Sequence, residues 1–225
     1  RSDWSSDVCS SDLIYYNSVN ISSDIFVWFK LVLNDTSEFH NIKQDGDQLN
    51  SRINKLEQIY NYYHEEKPLT KKHIYQQNRK KILFKEVVGT TRQAYEVLNR
   101  MSRYQNDLHQ LNNQLLLQIK LELDSLVAVH EQIYKSLSKK ARYDVTKLDY
   151  EVDNPLKKNL MDAFQQELIQ NPYQTQYSYA NVMQIIAAIE EYRYHLEHLD
   201  RIRLSFFKYH NSDSDIDISD EDFDL

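Results

Sequence analysis

Apolar residues recur at helical spacing along most of this chain of 225 residues. From Leu49 the sequence steps by four, three, four and three through Ile53, Leu56, Tyr60 and Tyr63. That spacing returns every side chain to one face of a helix, and alternating threes and fours make the heptad seam of paired helices. The pattern predicts a helix over residues 48–66, ended before Pro68, because proline fits a helix's first turn but not its middle. A second helix is expected over 69–88. Val87-Val-Gly-Thr-Thr91 then reads as a break, with Gly89 as the stop and Thr90 or Thr91 as the next cap.

The longest predicted element spans residues 91–143. Its seam runs through Val97, Met101, Tyr104, Leu108, Leu111, Leu115, Ile119, Leu123, Leu126, Ile133 and Leu137. At ~1.5 Å per residue such a helix is about 75 Å long. Between Leu115 and Val129 apolar residues fall on nearly every face, which calls for more than one covering neighbour. Asp153-Asn-Pro155 starts a helix over 155–170, and Asn171-Pro-Tyr173 closes it. Ser178 is the expected cap of a last helix over 178–209, with Val182, Ile185, Ile189, Tyr192, Leu196, Leu199, Arg203 and Phe206 as its seam. Residues 14–47 carry the weakest pattern. Ile25-Phe-Val-Trp-Phe29 and Leu31-Val-Leu33, interrupted by Lys30, suit about three helical turns capped by Ser22 or Ser23, or a buried strand. The run is too short, and carries a charge, for a membrane span.

These elements predict an all-α fold: an elongated antiparallel helical bundle with coiled-coil character over residues 48–210. Composition agrees. Two glycines and three prolines are too few turn-formers for an all-β or a typical α/β chain. The stretches rich in Leu, Gln, Lys, Glu and Arg favour helix.

The beginning of the chain stands apart. Arg1-Ser-Asp-Trp-Ser-Ser-Asp-Val-Cys-Ser-Ser-Asp-Leu13 resembles a short-read sequencing adapter translated in one frame, whose final codons read Cys-Ser-Ser-Asp-Leu, as at Cys9 to Leu13. Such a segment is set aside from fold reasoning, and the protein proper is expected to run from near Ile14 with its upstream part missing. Cys9 is the single cysteine. Residues 14–225 therefore hold no disulfide, thiolate zinc site or cysteine nucleophile.

Charge is unevenly placed. The net charge is −7, yet residues 211–225 alone hold seven acids and no base, and residues 14–210 are close to neutral. That tail interleaves its acids with Ile216, Ile218, Phe223 and Leu225. Acidic-apolar alternation suits a segment that docks on a basic, apolar groove of a partner. It resembles the acidic C-terminal tails by which bacterial single-stranded DNA-binding proteins recruit partners, a resemblance confined to the tail. Residues 67–85 are the converse: Lys67, Lys71, Lys72, Arg79, Lys80, Lys81 and Lys85 without an acid, near Tyr62, Tyr75 and Phe84. Clustered cations attract phosphates and aromatics stack on unpaired bases, so Lys71, Lys72, Arg79, Lys80, Lys81 and Lys85 form a candidate polyanion-binding set. The opposite charges raise the expectation that the tail folds back on this segment and masks it.

Catalytic chemistry has no such concentration. Gly46 and Gly89 are too far apart to make a phosphate loop. His195 and His198 share a helical face at i,i+3 beside Glu190, Glu191 and Glu197, but the order matches no metal signature, and solvated surface residues are the expectation. Arg103 with His109, and Arg193 with His198, have the Arg-x4-6-His spacing of HEPN-type ribonucleases, a spacing chance supplies in a chain with this many of both residues. No catalytic, cofactor or metal residue is assigned, and no enzyme is expected, because no acid, base and nucleophile converge. The expected function is a non-catalytic scaffold or adaptor, pairing through helical seams with itself or a protein partner and recruiting through its tail. The alternatives are a nucleic-acid-associated protein using residues 67–85, and the soluble stalk of a membrane-anchored assembly whose anchor lies upstream.

Overall fold

The computed structural model describes residues 10–34, 39–66, 71–111, 113–138, 156–170 and 172–210, and every regular element among them is an α-helix. In chain order these are α1 (Ser10–Asn34), α2 (Phe39–Glu65), α3 (Lys71–Arg103), the short α4 (Gln105–His109), α5 (Asn113–Ser138), α6 (Leu156–Gln170) and α7 (Pro172–His210). The fold is all-α, as the spacing of apolar residues requires.

Side-chain pairs set the directions. Helix α2 runs back along α1, where Arg52 pairs with Asp24. Helix α3 runs back along α2: Arg92 grips the Glu57 carboxylate with two nitrogens at 2.8 and 2.9 Å and also donates to Asn50 and Asn54. Helix α7 runs against α3 over almost its whole length, from Arg79 with Ser205, through Thr90 with His195, to Arg100 with Gln184. Helix α5 also opposes α3, and the hydroxyl of its Tyr134 meets Thr91 at 2.8 Å. Helix α6 folds back on α7 through Phe164 and Tyr179 and touches α5 through Asn159 and Gln118.

The predicted seams form the core. Leu49, Ile53 and Leu56 of α2, Val97 and Met101 of α3, Ile119, Leu123 and Leu126 of α5, and Val182, Ile185, Ile189, Leu196 and Leu199 of α7 are all buried. Helix α1 adds Ile14, Ile21, Ile25 and Phe29. Burying a residue of this kind stabilises the fold by roughly 1.5–3 kcal/mol relative to leaving it in water.

Four expectations about the elements are corrected. Residues 87–91 do not break the chain; α3 runs through them. Thr91 returns its hydroxyl to the Val87 carbonyl at 2.9 Å, so the β-branched residue is satisfied inside the helix instead of capping a new one. The break falls at Tyr104–Leu111, inside the element expected to be the longest. There Asp107 and Leu108 donate to the Tyr104 carbonyl, Gln110 to Asp107 and Leu111 to Leu108, and the chain reverses from α3 into α5. Leu108 and Leu111 are buried in that reversal, so a turn carries the seam's register. Helix α1 does not start at Ser22 or Ser23. Ser23, like Ser18, bonds to the carbonyl four residues before it, and Ser22 is buried against Thr91. Helix α7 starts at Pro172 rather than Ser178, whose hydroxyl donates to Gln110; Pro172 suits a first turn because its missing N–H has no partner to lose. The longest helix is then α7, with 39 residues, about 58 Å long. Residues 139–155, including the expected start at Asp153-Asn-Pro155, lie outside the described residues.

Candidate functional site

Polar side chains gather where α7 meets α3 and α5. Glu86 sits on the face of α3 turned to α7, and its carboxylate is buried. Its Oε2 lies 3.5 Å from His195 Nδ1 and 3.2 Å from His198 Nδ1. Burial pushes the Glu86 carboxyl up, but hydrogen bonds and charge interaction with the two imidazoles outweigh that and hold it below its usual range. Tyr194 stacks on His198 and sets its edge to His195. The histidine pair is therefore not a solvated surface pair, and its carboxylate comes from another helix. Of the carboxylates on its own helix, Glu197 pairs with Arg201 and Glu191 accepts from Gln93. Among the described residues no group of three or more His, Cys, Asp or Glu is arranged to hold a metal ion. The cluster works as a polar tie between α3 and α7.

Deeper in, His130 of α5 is fully enclosed. Its Nδ1 is 2.7 Å from the Tyr192 hydroxyl of α7, and Phe26 and Tyr134 set ring edges against it. Burial lowers its pKa to about 3, so the ring is neutral. Burial likewise pushes the Tyr134 hydroxyl up to about 12. Tyr134, Thr91 and Ser22 continue the line of hydroxyls from α5 through α3 to α1. One turn beyond the Glu86 cluster, Asp200 and Arg203 form a buried pair in which Nε and Nη2 both reach Oδ1, at 2.8 and 2.5 Å. This explains an arginine in an apolar seam: Asp200 neutralises it and Ser136 of α5 accepts a third contact.

The candidate polyanion set is divided by the fold. Arg79 is buried, donates to the Ser205 and Phe206 carbonyls at 3.0 Å each, and lays its guanidinium 5.2 Å from the Phe206 ring centre. It binds the side of α7 near its C-terminal end, where the helix dipole favours a cation. Lys81 does the same for α2, donating to His64 and Glu66 carbonyls at 2.6 and 3.0 Å. Lys80 is half-buried and Lys85 exposed, beside the exposed Ile74 and Ile82. Lys71 and Lys72 open α3, but their side chains lie outside the described residues. Ile216, Ile218, Phe223 and Leu225 lie outside them too.

Two further features bear on function. A cavity of about 350 Å³ lies between α1, α2 and α3, lined by Trp28, Asp47, Tyr95, Leu98, Ser102 and Arg103. Arg103 thus faces this cavity, while its sequence partner His109 is exposed beside Gln105. The other feature is the outer face of α5. Helix α5 packs against α7, α6 and α1, the more than one neighbour its apolar residues called for, yet Leu117 and Leu121, one turn apart, are 54% and 60% exposed. The consecutive leucines 115–117 signalled this: a helix directs three successive residues to three different faces.

The chain is similar to the UPF0421 protein YgaE of Bacillus subtilis (strain 168), with 29% identity over 205 residues. The match covers 91% of this chain and 57% of that protein, so the chain spans little more than half the length of the relative. No family model matches the chain, and no solved structure matches it. The relative's name states no activity.

Proposed function

We propose that the chain is a non-catalytic helical scaffold or adaptor that works through an exposed apolar helix face and its acidic-apolar tail. The observation that carries this is the pair Leu117 and Leu121, two large apolar side chains one turn apart and both exposed on α5. Apolar residues a turn apart on a helix are what a second helix packs against. The polar groups, by contrast, are turned to each other: Glu86 to two histidines, His130 to Tyr192, Asp200 to Arg203. These three groups bind helix to helix, and none of them lines the cavity. A photo-crosslinking residue in place of Leu121 or Phe223, in the full chain inside cells, tests the reading. Adducts at either position and none at the exposed Lys135 are expected; no adduct at either would contradict it.

A second reading is the soluble stalk of a larger membrane-anchored assembly. The longer YgaE supports it by leaving room for further segments in a protein of this kind. No described helix is long and apolar enough to cross a membrane, so the anchor would lie elsewhere. Reading the gene upstream of Ile14 tests this: an apolar run of about 20 residues is expected, and a short polar leader contradicts it.

A further inference from the structure

The exposed stripe of α5 is self-complementary, and we propose that it pairs antiparallel with the same stripe on a second copy of the chain. This deepens the scaffold reading by naming one partner, and it rests on that reading only for the premise that the α5 face is a binding surface.

The stripe comprises Leu117, Leu121, Asp124 and Ala128, spaced by four, three and four. Leu117 and Leu121 are the large apolar members, and Asp124 and Ala128 are exposed beside them. That is the spacing of one heptad, and it stays exposed among the described residues. Lys120 stands on the flank of the stripe, one turn before Asp124. An antiparallel pair with its twofold axis between positions 122 and 123 sets Leu117 against the partner's Ala128, large against small. It sets Leu121 beside the partner's Asp124, and it brings Lys120 alongside that same carboxylate. Symmetry repeats each contact, so the interface holds two leucine-to-alanine contacts and two Lys-to-Asp pairs. Closed twofold pairing of this kind is the commonest way a soluble chain self-associates. A parallel pair would set Lys120 on Lys120 and Asp124 on Asp124, so the charges choose the antiparallel direction. The small apolar area makes the association weak and reversible, in keeping with a scaffold that exchanges partners.

Sedimentation equilibrium of the full chain, over a range of concentrations, reads the dimer directly. A monomer–dimer equilibrium is expected, with Leu121→Glu abolishing the dimer. Lys120→Asp should weaken it about tenfold, since it places like charges together at two symmetric points. The double change Lys120→Asp with Asp124→Lys should return the affinity to within about twofold of the original, because the pairs are re-formed with reversed sign. All three positions are at or near the surface, and unchanged helical circular dichroism confirms that each variant folds. A double swap no stronger than the single change overturns the register. A chain monomeric at every concentration overturns self-pairing, yet leaves the scaffold reading intact if Leu121 still crosslinks to another protein in cells.

Discussion

His130 gives the sharpest quantitative expectation. The ring is fully buried against Tyr192, Tyr134 and Phe26, and burial takes its pKa from 6.5 to about 3. The folded chain holds it neutral whereas the unfolded chain takes up a proton, so stability falls as pH drops below about 6.5. Each pH unit below that value costs about 1.4 kcal/mol until the native value is reached. Between about pH 7.5 and pH 5, His130 alone therefore removes about 2 kcal/mol. Glu86 does not mimic this. Its carboxyl is held below the usual range, so its contribution is present above the unfolded carboxylate value and lost only at lower pH. His130→Phe removes the titrating ring and leaves the Tyr192 hydroxyl without its partner, a cost of roughly 1–3 kcal/mol at neutral pH. Urea unfolding followed by far-ultraviolet circular dichroism should show the variant less stable at about pH 7.5, with the gap narrowed by about 2 kcal/mol at about pH 5. A gap that stays constant across that range would refute the neutral, enclosed histidine.

Three other outcomes are expected. Arg203→Met leaves the Asp200 carboxylate buried alone and should cost about 3–5 kcal/mol in urea, while Asp200→Asn with Arg203→Met should recover most of it; equal losses would contradict a coupled pair. Gly89→Ala should stabilise α3 by about 1 kcal/mol. Its φ is ordinary for a helix and the added carbon meets only the His195 ring, at 3.6 and 3.7 Å, so a lowered melting temperature would show a tighter α3–α7 contact. Removing residues 211–225 should raise affinity for heparin at low salt, because it takes away seven acids and no base; unchanged affinity would sink the masking idea.

Periodicity made most of the fold legible because it reports which residues face a core, and the seams at 49–63, 97–126 and 182–199 are buried as their spacing requires, save the half-buried Tyr60 and Tyr104. It did not report where a seam changes helix. Leu108 and Leu111 keep the register of Met101 and Leu115 although the chain reverses between them, so the 104–111 turn was invisible in the apolar pattern. Its signal lay in the polar residues, Asn106-Asp107 and Asn112-Asn113, which favour turns. Gly89 misled for the converse reason, since a glycine in a long helix is also tolerated where packing carries it. Sites were less legible than elements. The His195–His198 pair could be seen, but Glu86 is more than 100 residues away in sequence, and antiparallel packing alone joins them. The basic segment read as one surface because composition does not distinguish a solvated cation from one bound near the end of a neighbouring helix, as Arg79 and Lys81 are.

If the α5 stripe is a binding face, it becomes covered when the chain binds. Hydroxyl-radical footprinting of the full chain, with rising chain concentration, reports this residue by residue. Leu117 and Leu121 should lose reactivity as concentration rises, while Tyr62 and Ile169, 73% and 84% exposed elsewhere on the bundle, keep theirs. Leucines that stay as reactive as those two throughout would contradict the pairing face.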